Sequence, residues 1–329
     1  MGLFSRKSRS SADSTTIFFA SDIHGSEVCF RKFVNAAQFY KADVLLLGGD
    51  ISGKLVVPVV EEGEGRWIAS LHGSQERLDG STIDAFERRA WDSGLYTKRM
   101  GPDEYQHYAD HPEDVDALFA QVMESTLRRW IDYAKTRLEG SPVVILNAPG
   151  NDDPQLVDGI ILEHGDDRFR FVEGQVVEIA PGHELLSTGY TNHTPWDTHR
   201  EYTEEQISEH LQTMVEQLEN PSTAIFNIHV PPYNSRIDTA PLLGQDLKVK
   251  TSAGAQMTQP VGSTAVRDAI ESVQPLLSLH GHIHESWGSV KIGNSTVINV
   301  GSEYGEGLLR GILVTVGDGE IKGYQSVTG

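Results

Sequence analysis

The stretch PVVILNAPGNDDP, Pro142 to Pro154, decides how the chain is read. Its first half is a continuous apolar run, the pattern of a strand buried on both faces. Its second half delivers Asn151, Asp152 and Asp153 together. Pro, Gly, Asn and Asp are turn formers, so a plain turn is the simplest reading. The ending means more if other strands bring their own polar residues to the same place.

Four others do. TTIFFASDIHG (Thr15 to Gly25) stops at Asp22 and His24, and ADVLLLGGD (Ala42 to Asp50) stops at Asp50. TAIFNIHVPP (Thr223 to Pro232) stops at His229, and QPLLSLHGHIH (Gln274 to His284) stops at His282 and His284. In open α/β sheets, ligands sit just beyond the carboxyl ends of strands. Helical patterns separate these runs. Ser26 to Lys41 places Val28, Phe33, Val34 and Ala37 on helical spacing. Thr203 to Asn220 opens with a capping box, Thr203 to Gln206, and sets Ile207, Leu211, Met214, Val215 and Leu218 on one face. Ser263 to Pro275 is a third helix. The class is α/β.

Residues 54–141 break the rhythm. Leu55 to Gly73 reads as a hairpin, and Thr82 to Gly94 and Pro112 to Gly140 as helices. We take 54–141 as a mainly helical, cap-like insertion in a domain spanning 15–329. It starts directly after Asp50, so it is expected to cap the site or form a subunit contact, as in a homodimer. After His284 the chain alternates, with turns at Gly293-Asn294 and Asp318-Gly319, and reads as antiparallel strands.

Composition narrows the function classes. With 329 residues, 38% hydrophobic and 22% charged, the chain is long enough for a large core without staples. The single cysteine, Cys29, excludes an internal disulfide and fits a reducing cytoplasm. The net charge of −20 and the lack of a basic face argue against nucleic acid as a partner. No apolar run approaches the length of a membrane span. The basic, Ser-rich residues 1–14 are not followed by an apolar stretch, so they read as a disordered tail rather than a signal peptide.

Asp22, His24, Asp50, Asn151, His229, His282 and His284 combine carboxylate, amide and imidazole donors. That mixture suits Mn, Fe or Zn rather than Ca or Mg. Two ions about 3.5 to 4 Å apart need roughly this many ligands, with one carboxylate bridging. Asp22/His24 and His282/His284 are spaced i, i+2, which in an extended chain points both side chains the same way.

The blocks DIH, GGD, GND, NIHVPP and GHIH resemble the signature blocks of the calcineurin-like metallophosphoesterase family. Thr188 to Ile207 and Gly281 to Ser302 are similar to a branch related to the class III cyclic-nucleotide phosphodiesterases. The resemblance covers about 15–53 and 142–325. It implies a four-layer αββα sandwich of two mixed β-sheets. It assigns one metal to Asp22, His24, Asp50 and His284, and a second to Asp50, Asn151, His229 and His282. The implied chemistry is in-line attack on phosphorus by a hydroxide between two divalent ions, Mn favoured. The implied substrate is a small anionic phosphoester, with 3',5'-cyclic AMP or a similar cyclic nucleotide first. A phosphomonoesterase or nucleotide pyrophosphatase on the same site, and a protein-binding scaffold of the same fold, are the alternatives. Two divalent ions, two carboxylates and a hydroxide leave the site about +1 inside an acidic protein, which favours a small anion over a long polyanion.

The chain departs from the family at one place. The third block usually reads Gly-Asn-His, and that histidine protonates the leaving oxygen; here Asp152 stands there. An aspartic acid with an ordinary pKa of about 4 is mostly ionised at neutral pH. Asp152 with a raised pKa, His193 in the TNHTPW loop, or water would have to take the role. His280 reads as a packed histidine, and His72, His107 and His111 as solvent-facing. Arg88, Arg89, Lys98 and Arg99 read as a solvated face rather than phosphate contacts. Trp130 and Ile131 fit the apolar stripe of the long helix.

Overall fold

The computed structural model describes residues 14–244 and 246–329. The tail expected over 1–14 lies, but for Ser14, outside them. One six-stranded sheet contains β1 (Thr15–Ala20), β2 (Val44–Leu47), β3 (Val144–Asn147), β4 (Phe169–Phe171), β11 (Arg310–Gly317) and β12 (Glu320–Thr328), in the order β12-β11-β1-β2-β3-β4. The other contains β5 (Gln175–Ala180), β6 (His183–Thr188), β7 (Ile225–Ile228), β8 (Leu277–His280), β9 (Gly288–Ile292) and β10 (Ser295–Asn299), in the order β9-β10-β8-β7-β6-β5. Both are mixed: β1 to β4 pair in parallel, as do β6, β7, β8 and β10, and antiparallel strands flank them.

Strand alternation explains the continuous apolar runs. Ile17 and Phe19 of β1 point between the sheets, where they meet Leu46, Leu146, Leu185, Leu279 and Val314. Phe18 and Ala20 point the other way, into a layer built by α1 (Glu27–Phe39), α4 (Val115–Arg137) and α5 (Leu156–His164). On the far side, Leu186, Phe226 and Ile228 pack on α6 (Glu204–Val215) and α7 (Thr264–Val273). Both faces of the central strands are covered, so period-two polarity disappears there, and the fold is a four-layer αββα sandwich. The capping box of α6 forms between Thr203 and Gln206.

The 54–141 segment holds a sheet as well as helices. The residues read as a hairpin become strands Val56–Gly63 and Arg66–Leu71, and Ser74–Asp79 and Tyr96–Met100 complete a four-stranded sheet beside α2 (Ile83–Asp92). Val57, Val59, Leu71, Leu78 and Phe86 give it a small core of its own. The helix at α3 (Pro102–Asp110) follows, with no buried residue. The long helix α4 instead belongs to the main sandwich: Met123, Leu127, Trp130 and Ile131 are buried under the first sheet, and Trp130 stacks on Phe30 at 4.3 Å. Arg89 and Arg99 pair with Glu76, Asp84 and Glu87 within the segment. The C-terminal hairpins form as read, but they divide between the sheets. The Gly293-Asn294 turn joins β9 to β10, and the Asp318-Gly319 turn joins β11 to β12.

Candidate metal centre

The carboxyl ends of β1, β2, β3, β7 and β8 meet along one edge of the sandwich, and the loops that leave them hold all seven candidate ligands. Asp22, His24, Asp50, Asn151 and His229 are buried. Asp50 lies at the middle: its Oδ2 is 3.5 Å from His24 Nε2 and 3.4 Å from His229 Nε2. Asp22 Oδ1 is 3.3 Å from His284 Nε2 and 3.8 Å from His229 Nε2. His24 Nε2 and His284 Nε2 are 3.1 Å apart. Donor atoms of Asp22, His24 and His284, and of Asp50, His229 and His282, each converge within 4.8 Å.

The i, i+2 pairs converge by a different geometry from the extended one expected. β1 ends at Ala20 and β8 at His280, before either pair begins. Asp22 (φ 56°), His24 (φ 39°), Asp50 (φ 49°) and His282 (φ 65°) all lie in the left-handed region. Side chains other than glycine adopt it at a cost of order 1–3 kcal/mol each, and such strain concentrates at functional sites. Hydrogen bonds hold the turns: Asp22 and His24 donate their backbone N–H groups to Gly49 and Asp50 carbonyls at 3.0 and 2.9 Å. Neighbouring glycines make room. A Cβ on Gly150 would lie 2.2 Å from Asp50 Oδ1, and one on Gly281 would lie 2.1 Å from Asp22 Oδ2.

Electrostatics mark a place for cations. Burial pushes Asp50 up to about 6, helped by Asp152 and Asp22 and opposed by His229. Burial would also raise Asp22, yet His229, His284 and His24 hold it well below the usual carboxylate range. Burial would lower His229, but Asp50 and Asp22 push it up to about 10. Burial and the neighbouring His229 push His282 down to about 3. Asn151 Oδ1 and His229 Nε2 are buried without a hydrogen-bond partner. Unpaired buried polar atoms are rare, and here they are oxygen and imidazole donors beside two carboxylates. The set fits divalent transition cations.

No family model matches the chain. The uncharacterized protein MJ1162 of Methanocaldococcus jannaschii is 32% identical over 159 residues, which is 47% of this chain and 62% of that protein's own length. A solved crystal structure superposes on 95% of this chain and 98% of its own, with TM-score 0.54 at 16% identity. The crystal structure of TT1561 from Thermus thermophilus covers 92% of this chain and 98% of its own, with TM-score 0.49 at 14% identity. Two mixed sheets, four layers and five strand ends converging on one edge decide the architecture. The fold is the four-layer αββα sandwich of two mixed sheets that the resemblance of the sequence blocks implied.

In this fold, a cleft of about 890 Å³ opens over Asp50, Asn151, His282 and His284. Apolar side chains also line it, from Pro195, Trp196, Pro241, Leu243, Leu247, Val261 and Ile283. Of the 54–141 segment, Lys54 alone lines the cleft among the described residues; the walls come from the loops at 192–196 and 240–261.

Both residues singled out as proton donors line the cleft. Asp152 donates its backbone N–H to Asp50 Oδ1 at 3.0 Å, and its carboxylate is ion-paired with Lys54. His193 is 63% exposed at its side chain, and its Nδ1 lies 3.3 Å from Glu201. His280 is a satisfied core histidine, with Nδ1 at 2.7 Å from the Ile228 carbonyl and Nε2 at 2.8 Å from Ser278.

Four further residues escaped sequence reasoning. Lys54 carries no motif around it. Tyr304 packs its ring 4.6 Å from that of His24. Glu201 ties together the 193–198 loop. Asp153, the last acid of the opening stretch, binds the backbone N–H groups of Ile51, Ser52 and Gly150 and the Ser52 hydroxyl. Only Asp153 had a visible signal, as an acid in a Gly-Asn-rich turn.

Proposed function

We propose that the chain is a dinuclear metal-dependent phosphodiesterase acting on a small phosphodiester, with 3',5'-cyclic AMP or a similar cyclic nucleotide as the favoured substrate. One observation carries the reading: Asp50 Oδ2 is nearly equidistant from His24 Nε2 and His229 Nε2, at 3.5 and 3.4 Å, so that one carboxylate could serve two cations. Asp22, His24 and His284 would hold the first cation with Asp50. Asn151 Oδ1, His229 and His282 would hold the second.

Bound divalent ions, manganese first among them, would supply positive charge against the phosphate oxygens and a water of lowered pKa. The chain supplies the rest. His229 is oriented by its Nδ1 lying 3.2 Å from the Gly48 carbonyl, which leaves Nε2 facing Asp50. Asn151 is fixed by donating to Thr198 Oγ1 at 2.8 Å, which turns its oxygen toward the site. The apolar part of the lining, with Trp196 64% exposed, gives a nucleobase a surface on which to lie while the phosphate meets the candidate ligands. A cleft lined by both polar and apolar side chains suits a nucleotide better than a bare phosphate. The single buried Cys29 fits a cytoplasmic setting, and among the described residues no helix is long and apolar enough to cross a membrane.

The test is a manganese-supplemented panel of cyclic AMP, cyclic GMP, a generic diester, a generic monoester and a dinucleotide, run beside Asp50→Asn. Turnover of a cyclic nucleotide that Asp50→Asn abolishes supports the proposal. Preference for the monoester would move it to phosphomonoesterase. A protein that binds no transition metal and turns over none of the panel would leave the fold serving as a binding scaffold.

A further inference from the structure

Ester cleavage leaves an electron pair on the departing oxygen, and an alkoxide leaves poorly unless it is protonated as the bond breaks. Asp152 stands beside the site but cannot be a free acid, because its carboxylate is engaged by Lys54. The neighbouring Asn151 donates through Nδ2 to Asp152 Oδ1 at 3.3 Å, and the backbone N–H of Asp152 is anchored on Asp50. His193 is tied to Glu201 on a mostly exposed loop, and among the described residues it makes no hydrogen bond or ion pair to the seven candidate ligands. Lys54 differs from both. It is the sole lysine or arginine on the cleft lining among the described residues. It sits four residues beyond Asp50, and Asp152 holds its ammonium on the side of the cleft where His24 and Asp50 lie: Asp152 Oδ2 is 3.9 Å from His24 Nδ1.

We propose that Lys54 is the proton donor of the reaction, with Asp152 as the residue that positions it. This rests on the phosphodiesterase reading above. An attacking hydroxide oxygen forms the new bond to phosphorus. The bond from phosphorus to the leaving oxygen breaks, its electron pair stays on that oxygen, and a proton passes to it from Lys54 Nζ. The neutral amine then regains a proton from solvent. Before the step the ammonium hydrogen-bonds a phosphate oxygen, so Lys54 contributes to binding as well. Burial works to lower the pKa of Lys54, but Asp152 more than offsets it, so the group enters the reaction charged. An amine of that strength still protonates an alkoxide readily, since alkoxides are far stronger bases. The arrangement replaces an acid by a lysine–aspartate pair, and it accounts for an aspartate at position 152 that could not donate a proton by itself.

The experiment compares the manganese-loaded wild type with Lys54→Met, Lys54→Arg and Asp152→Asn. Two substrates differ in their need for a proton: cyclic AMP, whose leaving oxygen is an alkoxide, and bis(p-nitrophenyl) phosphate, whose leaving group departs unprotonated. Calorimetric titration with inorganic phosphate reads binding independently of turnover, and melting curves confirm that each variant is folded. Lys54→Met should lose about 100-fold or more on cyclic AMP and less than about 10-fold on the activated diester. It should also bind phosphate more weakly. Lys54→Arg keeps the charge but cannot give up a proton, so it should retain phosphate affinity and still fail on cyclic AMP. Asp152→Asn should lie between wild type and Lys54→Met on cyclic AMP. Equal losses on both substrates, recovery of cyclic AMP turnover by arginine, or no loss in Lys54→Met would each overturn the proposal. A wild type that hydrolyses neither substrate would be a different failure, that of the phosphodiesterase reading, and this proposal would fall with it.

Discussion

Asp153 accepts both the backbone N–H and the hydroxyl of Ser52, at 2.8 and 2.6 Å. The same carboxylate accepts the N–H groups of Ile51 and Gly150 at 2.9 and 2.8 Å. It is fully buried, and it fastens the loop after β2 to the loop after β3, so Asp50 and Asn151 keep their separation. Adjacent acids therefore do different work. Asp153 is structural, while Asp152 faces the cleft.

That division gives the first prediction. Asp153→Ala leaves three buried N–H groups and a hydroxyl without their acceptor, and each such orphan costs about 1–3 kcal/mol. The expected loss is more than about 3 kcal/mol in denaturant unfolding. Asp152→Ala breaks a partly exposed ion pair and should cost less than about 1 kcal/mol. In activity, Asp152→Ala should lose less than Asp50→Asn or His229→Ala. A comparable loss of stability from both alanine variants would refute the assignment of Asp153.

Cation loading should stabilise the fold, because it pairs buried donors that now face one another. A ligand at 100 times its Kd adds about 2.7 kcal/mol, so saturating manganese should raise the melting temperature by several degrees and a chelator should reverse it. Asp50→Asn should abolish most of the rise. Gly150→Ala should do the same without replacing a donor residue, since its Cβ would fall 2.2 Å from Asp50 Oδ1 and displace that carboxylate. A normal manganese response in Gly150→Ala would show that Asp50 is not held where cations bind.

Much of this arrangement was legible in the sequence, and the reason is local. Each of the five apolar runs that end in Asp22, Asp50, Asn151, His229 or His282 carries both its burial and its terminal polar group within about ten residues. What stayed hidden depends on which element lies against which. The pattern of α4 shows an apolar stripe around Trp130, but not that the stripe covers the first sheet rather than the inserted one. Strands β4, β5 and β6 carry short or interrupted runs that do not stand out from their surroundings. Lys54 and Glu201 matter through partners 98 residues and three to seven residues away respectively, and no periodicity reports a hydrogen bond. The spacing of Asp22 and His24 was informative, yet the convergence comes from left-handed turns, which composition does not reveal.

Acid should loosen the loop beside the cleft. Glu201 accepts from the backbone N–H groups of Thr194 and Thr198 at 3.0 and 2.9 Å, and from both hydroxyls at 2.6 Å. Burial would raise its pKa, but these four bonds favour the ionised form and hold it down to about 2, against 4.5 for a free glutamate. A carboxyl depressed in the fold contributes stability that is present above pH 4.5 and is lost as pH falls through about 2. Melting temperatures measured across that window should fall more steeply for wild type than for Glu201→Gln. At pH 7 the variant should be the less stable of the two. Parallel curves would mean that the hydrogen bonds do not favour the charged form.

Trp196 tests the apolar lining. Its N–H is set by Thr194 Oγ1 at 3.2 Å, which places the residue on the Glu201-braced loop, and its side chain lies on the cleft lining. Stacking of a base on an aromatic ring is worth about 1–3 kcal/mol, and the ring has no part in bond breaking. Trp196→Ala should therefore raise KM for cyclic AMP by about 10-fold with kcat little changed, the mark of binding shared by ground and transition states. Affinity for inorganic phosphate, which has no base, should stay at the wild-type value. Leu247→Ala, also on the cleft lining, should act in the same direction but less, because it offers no ring face. If Trp196→Ala lowered kcat and left KM alone, the ring would be acting on the reacting end of the cleft, and the orientation of the nucleotide proposed above would have to be reversed.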